Sequence, residues 1–237
     1  MTQELKKNTA VVTTFNNRLY KEYAYRFLNS YKWDFPLHIY TEDNSQGLDL
    51  FKEVPSAKEF VERNSNRAFK SFHHDAVRFS YKVYAYTDFI LNKSESFDGV
   101  ICIDSDSVFY RSCDQAWLEE HIHRDDCMMS YLGRGTMYSE CGYLYFNLNH
   151  PKIKEYAKEM KRMYDSDDLY KLQESHDSWV WDYVRKEFEK TGVKNHNIGD
   201  KEDGHVQIRS KLGELYDHTK GPRKRTGISP EFIHRNR

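Results

Sequence analysis

The sequence has little that would brace or anchor a chain from outside. Of its 237 residues four are cysteine, Cys102, Cys113, Cys127 and Cys141, and none forms a CxxC pair. That excludes a disulfide scaffold and a cysteine-based zinc motif, so free thiols in a reducing compartment are expected. Proline and glycine are sparse, at 5 and 11 residues, which excludes a collagen-like or linker-rich chain. No apolar run approaches the roughly 18 residues of a spanning helix; Val100–Ile103 is typical of the longest. The opening MTQELKKNTA has no apolar stretch of the kind a secretory signal needs. A cytoplasmic location without stable membrane insertion is therefore the expectation. Nor is there an excess of either charge. Lys+Arg is 36 against 37 for Asp+Glu, a net charge of -1, which offers neither a basic surface for nucleic acid nor an acidic tail.

What the chain has instead is aromatic surface. Hydrophobic residues reach only 38%, but 18 Tyr, 14 Phe and 4 Trp are among them, enough to bury and to argue against disorder. Thr9–Thr14 is β-rich and predicts a buried strand. A helix is expected over Asn17–Tyr31, with Leu19, Tyr23, Phe27 and Tyr31 at four-residue steps, and Leu37–Thr41 predicts a second strand before the turn that begins Glu42-Asp43-Asn44-Ser45. Strand, helix and strand in that order open an α/β sheet. Residues 48–70 predict a short helix and a loop, and Phe72–Leu91 a long helix with Val77, Tyr81, Tyr84 and Phe89 facing the core. Val100–Ile103 is the most hydrophobic strand. Asp114 is placed to cap a helix carrying Trp117 and Leu118. Cys127–Leu132 and Tyr143–Leu148 predict strands, Pro151–Tyr164 and His176–Glu189 helices. Val193–Ile198 and His205–Ile208 are candidate short strands, and the chain from His218 onward has little periodicity. One domain over 1–237 is the simplest organisation.

The sharpest chemical feature is Asp104-Ser105-Asp106 at the end of that apolar strand. The carboxyl end of a strand is where open α/β sheets bind ligands. Residues i and i+2 of an extended chain point the same way, so both carboxylates can face one cation. Hard divalent ions such as Mg²⁺ and Mn²⁺ take such oxygens and leave room for phosphates. The plain alternative is a strand-end turn in which Asp104 caps the next segment. The second feature is His218-Thr-Lys-Gly221-Pro-Arg-Lys224, an HxxGxxK spacing. It combines a metal-competent imidazole, a glycine that permits close backbone approach and a point charge for phosphate; in isolation it is also what a basic tail looks like. Arg78 and Lys82 lie one helical turn apart, as a donor-facing pair or a solvated one. Asp177 opens an aromatic helix, where a first-turn carboxylate is favoured by the dipole alone, and His176 beside it is expected on the solvent side. Glu140 precedes Cys141-Gly142, where a backbone could approach a sugar closely.

Together these residues resemble GT-A-fold, nucleotide-sugar-dependent glycosyltransferases, and HxxGxxK is similar to the C-terminal element of glycosyltransferase family 8. Where that family follows with Pro-Trp, this chain has Arg225-Thr226. The resemblance implies a single GT-A-type, Rossmann-like α/β domain with a central, mostly parallel sheet flanked by helices. Residues 1–110 would bind the nucleotide sugar, 111–215 the acceptor, and 216–237 the metal and diphosphate. It implies Asp104, Asp106 and His218 as ligands of Mn²⁺ or Mg²⁺. It implies Lys224 and Gly221 at the diphosphate, Thr13, Thr14 and Phe15 at the nucleoside, and Arg78 and Lys82 at the donor, with Asp104 also reaching the ribose. Asp177 and Glu140 are the candidate catalytic acids. The activity implied is transfer of a hexose from a UDP-sugar to an acceptor hydroxyl, with retention as the favoured stereochemistry. Two alternatives stay open. Asp104-Ser-Asp106-Ser-Val108 also fits the motif of haloacid dehalogenase-like phosphatases, with Asp104 as nucleophile, and a pocket without catalysis would make the chain a nucleotide-sugar binder.

Overall fold

The computed structural model describes residues 8–43 and 46–235; residues 1–7 of the opening segment, and Asn44 and Ser45 of the turn, lie outside them. A seven-stranded sheet runs through the molecule. Its strands are β1 (Thr9–Phe15), β2 (Leu37–Thr41), β3 (Leu48–Asp49), β4 (Gly99–Ile103), β6 (Met129–Leu132), β7 (Glu140–Asn147) and β8 (His196–Asn197), in the order β3-β2-β1-β4-β7-β6-β8. β5 (Ser107–Phe109) and β9 (Tyr216–His218) form a separate antiparallel pair. In the main sheet β7 runs antiparallel to β4 and β6, and every other pairing is parallel. The expected α/β architecture with a central, mostly parallel sheet flanked by helices is what the chain adopts.

Period-two alternation in the central strands explains why both faces are covered. Ala10, Val12, Val100, Cys102, Leu144 and Phe146 point into one core, which is closed by the helices Ala76–Asp88, Ile153–Asp165 and Asp177–Lys190. Val11, Ile101, Ile103, Tyr143 and Tyr145 point into the other, where Phe27, Trp33, Phe109, Leu118, Ile122 and Tyr216 pack. The aromatic surplus is spent here: Trp33, Phe109 and Tyr216 meet with ring centroids 4.8–5.7 Å apart, within the range of favourable ring pairs. The four cysteines are free thiols. Among the described residues no helix is long and apolar enough to cross a membrane.

Several elements differ from expectation. The first helix is interrupted: Asn17–Leu19 and Tyr25–Ser30 flank a π-helical turn over Tyr20–Ala24, a device that re-aims side chains. The long helix starts at Ala76, capped by Asp75, after a separate 3-10 turn at Phe72–His74. Of its four predicted core residues, Tyr84 and Phe89 are buried, whereas Val77 and Tyr81 are half-buried and turn toward a cleft. Residues 48–64 hold an edge strand and two helices, Leu50–Glu53 and Pro55–Asn64. His205–Ile208 is not a strand: Val206–Arg209 is helical, and only His196–Asn197 of the Val193–Ile198 segment pairs. The C-terminal stretch is ordered as β9 and the short helices Arg223–Thr226 and Pro230–Arg235. Phe232 stacks on Tyr110 there at 4.5 Å. One anchoring aromatic is too sparse a signal to appear as periodicity.

Candidate metal and nucleotide site

The chain passes from β1 outward to β2 and β3, then returns to the other side of β1 as β4. Such a reversal opens a crevice at the carboxyl ends of the two strands that flank it. A cleft of about 590 Å³ lies there. Its floor is Thr14 and Asn16 after β1 and Asp104–Asp106 after β4; one wall is Asp75, Val77, Arg78, Tyr81 and Lys82, and the other Arg18, Leu19, Glu22, Tyr23, Gly221 and Lys224. A larger open depression of about 910 Å³ is lined by Lys152, Glu155, Glu187 and Lys194 among others. Its charged residues are solvated and paired, Lys152 with Glu155, Lys194 with Asp126 and Glu187 with the neighbouring Lys190, without the buried ionic side chains that the smaller cleft holds.

Asp104 and Asp106 of the cleft floor meet His218, which is buried outside the lining, with the donor atoms all within 4.8 Å of one another. β9 brings the histidine from more than a hundred residues away: His218 pairs with Ser107 across the β5–β9 ladder. Thr219 locks the register by donating both its backbone N–H (3.0 Å) and its hydroxyl (2.6 Å) to the Asp106 carbonyl. His218 Nε2 lies 3.0 Å from Asp106 Oδ1 and 3.7 Å from Asp104 Oδ2. Asp106 Oδ1 is buried and has no hydrogen-bond partner among the described residues.

Cations surround these carboxylates. Lys82 Nζ lies 2.9 Å from Asp104 and 2.6 Å from Asp177, and Lys224 Nζ 2.7 Å from Asp106. Burial opposes the charge on Asp106, yet His218 and Lys224 hold its carboxyl below the usual carboxylate range. Burial also works against the charge on Lys82, and Asp104 and Asp177 more than reverse it, so this ammonium stays protonated well above its ordinary range. For His218 burial favours the neutral ring, but Asp106 on one nitrogen and Glu140 on the other raise it to about 9.

Glu140 serves His218. It sits at the start of β7 and accepts from His218 Nδ1 at 2.8 Å. It also pairs with Arg134 at 3.1 Å and with Lys220. Burial would push its carboxyl up, but Lys220, His218 and Arg134 hold it well below the usual range. A carboxylate on the far nitrogen fixes which nitrogen is offered forward and raises its basicity. Gly142 completes the arrangement: a Cβ there would run into the His218 ring. The close approach expected at Gly142 is therefore made by the imidazole.

The other sequence candidates divide. Thr14, Arg78, Lys82, Gly221 and Lys224 line the cleft with the two aspartates. The Thr14 hydroxyl is buried without a hydrogen-bond partner among the described residues, and Gly221 adopts φ +55, a conformation glycine takes without strain. Thr13 and Phe15 are fully buried beneath the floor, Phe15 against Tyr23 and Ala24. Asp177 is buried behind Lys82, with its carboxyl drawn down to about 2 by Lys82 and His176 against the effect of burial. His176, expected on the solvent side, is buried.

No family model matches the chain, and no curated protein matches it. Among solved structures it is similar to mouse xyloside xylosyltransferase 1 in its apo form, at 11% identity and a TM-score of 0.49 over 81% of this chain and 85% of that one. It is also similar to a glycosyltransferase involved in glycosylation of the major capsid of PBCV-1, at 10% identity and 0.49 over 97% and 100%. A third is the apo form of the glycosyltransferase GlyE of Streptococcus pneumoniae TIGR4, at 14% identity and 0.42 over 80% of this chain. The chain spans 45% of GlyE's length.

Four side chains at or near the cleft have no sequence signature. Arg134 and Lys220 hold Glu140 from segments with no motif of their own. Asn16 caps the first helical turn and donates to Glu42 at 2.8 Å. Burial raises Glu42 to about 7 against that hydrogen bond, so a carboxyl that is half protonated near neutrality faces the cleft. For Asn16 and Glu42 the signal that could have found them is topological, since they follow β1 and β2 at the same sheet edge as Asp104, whereas Arg134 follows β6 and Lys220 follows β9.

Proposed function

We propose that the protein is a metal-dependent glycosyltransferase that takes a nucleoside diphosphate sugar, a UDP-hexose by preference, in the cleft at the carboxyl ends of β1 and β4. One observation carries this reading. Two carboxylates at the floor of a cleft and an imidazole buried against them converge on one point, and the cleft walls around them carry Arg78, Lys82 and Lys224 beside the carboxylates Glu22, Glu42 and Asp75. The donor set fits Mn²⁺ or Mg²⁺: two hard oxygens, one of them a buried Asp106 oxygen without a hydrogen-bond partner among the described residues, and one nitrogen. Asp104, Asp106 and His218 would hold the ion. Bound there, it would supply Lewis-acid stabilisation of the departing diphosphate.

The chain's own residues do the rest. Lys224 sits on the diphosphate side of Asp106 and is free to exchange its carboxylate partner for a phosphate oxygen. Arg78, which has no carboxylate partner among the described residues, adds a second charge at the cleft wall. Pre-positioned cations of this kind stabilise charge that develops only as the bond to the anomeric carbon breaks. Thr14, Asn16 and Glu42 offer hydrogen bonds to the nucleoside. Glu140 keeps His218 Nε2 turned forward, and Lys82 bridges Asp104 and Asp177. Retention is the favoured outcome because Asp177 and Glu140, the acids the sequence offers as a base, are both buried and paired, Asp177 with Lys82 and Glu140 with Arg134 and Lys220. The acceptor hydroxyl would then attack from the side the diphosphate leaves.

The direct test is release of UDP from UDP-hexoses in the presence of Mn²⁺, with and without candidate acceptors. Turnover that requires the metal and disappears in Asp106→Asn supports the reading. Hydrolysis of simple phosphate esters in place of sugar transfer would replace it with the phosphatase alternative.

A further inference from the structure

A second cluster of metal-competent side chains lies outside the cleft lining. His73 Nδ1 and His176 Nε2 each lie 2.8 Å from the same oxygen of Glu174, Oε2, and the three donor atoms fall within 4.8 Å of one another. Two segments about a hundred residues apart meet here. Their backbones are clamped independently of the side chains: Ser175 N–H donates to the His73 carbonyl at 2.9 Å and His176 N–H to the same oxygen at 3.1 Å. The rings are walled by aromatics, with Tyr138 4.3 Å from His176 and 6.0 Å from His73, Phe72 3.9 Å from His73, and Phe79 6.2 Å from His176. His176 is 3% exposed, whereas His73 and Glu174 keep 30% and 19% of their side chains open, so the cluster has a closed back and a solvent face.

We propose that His73, Glu174 and His176 form a second metal site, one that takes a borderline cation of the zinc type. Two imidazoles and one carboxylate are the donor set such ions prefer, with the solvent face free for a water. Oxygen-seeking Mg²⁺ would favour the Asp104–Asp106 pair instead. No lysine or arginine pairs with Glu174 among the described residues; its ionic partners are the two imidazoles. His176 Nδ1 points back to Asp177 Oδ1 at 3.9 Å, and Asp177 pairs with Lys82. An ion here would staple the Phe72–His74 turn, which leads into the helix bearing Arg78 and Lys82, to the start of the Asp177–Lys190 helix.

The test uses the full chain stripped with chelator, reloaded with zinc and washed, for the wild type, Asp106→Asn and His73→Ala. Bound zinc is counted by mass spectrometry, and its ligands by absorption fine structure at the zinc edge. Zinc retained by Asp106→Asn with two imidazoles in its shell, and bound at least about tenfold more weakly by His73→Ala, is the expected result. His73 is partly exposed, and a thermal melt confirms that its variant folds. The imidazole count stands without any variant at His73, because the first cluster can contribute only His218. Zinc with a single imidazole, zinc lost in Asp106→Asn, or no zinc retained would each overturn the second site, and none of them depends on whether a sugar is transferred.

Discussion

The molecule holds two clusters of histidine with carboxylate, and they differ in what surrounds them. Asp104, Asp106 and His218 sit among Lys82, Lys224 and, through Glu140, Lys220 and Arg134. His73, Glu174 and His176 sit among aromatic rings, and among the described residues no lysine or arginine pairs with Glu174. Two carboxylates packed together repel unless something compensates. At the first cluster lysines compensate, and they leave positive charge over when a divalent ion takes their place. That surplus is what a diphosphate needs. The second cluster has one carboxylate and nothing to spare, which suits an ion held for its own sake. The bridge between them is Asp177, with Lys82 on one side and His176 on the other.

The largest way to break this contrast is Asp106→Asn. It removes a ligand and strands Lys224, so metal-dependent turnover should fall by roughly 10²–10³-fold, while zinc at the second cluster is retained. Equal loss at both would mean that the clusters act as one. Next is Gly142→Ala. The added methyl group displaces His218, so Mn²⁺ affinity should fall about 10–100-fold, measured by calorimetry; an unchanged affinity would remove His218 from the ligand set. Glu140→Gln should cost less, about tenfold in Mn²⁺ affinity. It should also lower the pKa of His218, a change seen by NMR that a purely structural role would not produce.

The smallest expected effect is a pH dependence. The folded-state pKa of His218 is raised from 6.5 to about 9. In metal-free protein its contribution to stability is therefore complete below 6.5 and is lost as pH rises through about 9. Melting temperature in EDTA should fall across that window. With saturating Mn²⁺ the ion replaces the proton and the fall should vanish. A profile that is identical with and without metal would contradict the assignment of Nε2 as a ligand.

Much of the first cluster is legible in the sequence, and almost none of the second. Asp104 and Asp106 announce themselves because the strand before them is uniformly apolar, and His218, Gly221 and Lys224 because their spacing is local. Gly142 is visible, but its reason is not, since the atom it makes room for comes from 76 positions later in the chain. The sheet is legible where alternation runs for five residues or more. β3, two residues long, carries too little pattern to register, and β8, also two residues, is found only inside the longer candidate Val193–Ile198. The ordered C-terminal helices are missed because they are held by single anchors, Phe232 on Tyr110 and Arg26 on the carbonyls of Lys224 and Arg225. His73 belongs to no motif. Its partners become neighbours only through the backbone clamp at Ser175 and His176.

The central claim is that a divalent ion and a nucleoside diphosphate bind together at Asp104, Asp106 and His218. Calorimetric titration of UDP into the protein, once with Mn²⁺ and once with EDTA, tests it most directly. The account predicts binding with Mn²⁺ that is lost in EDTA and in Asp106→Asn. UDP affinity that is indifferent to the metal, or no binding of UDP with Mn²⁺ present, would contradict it.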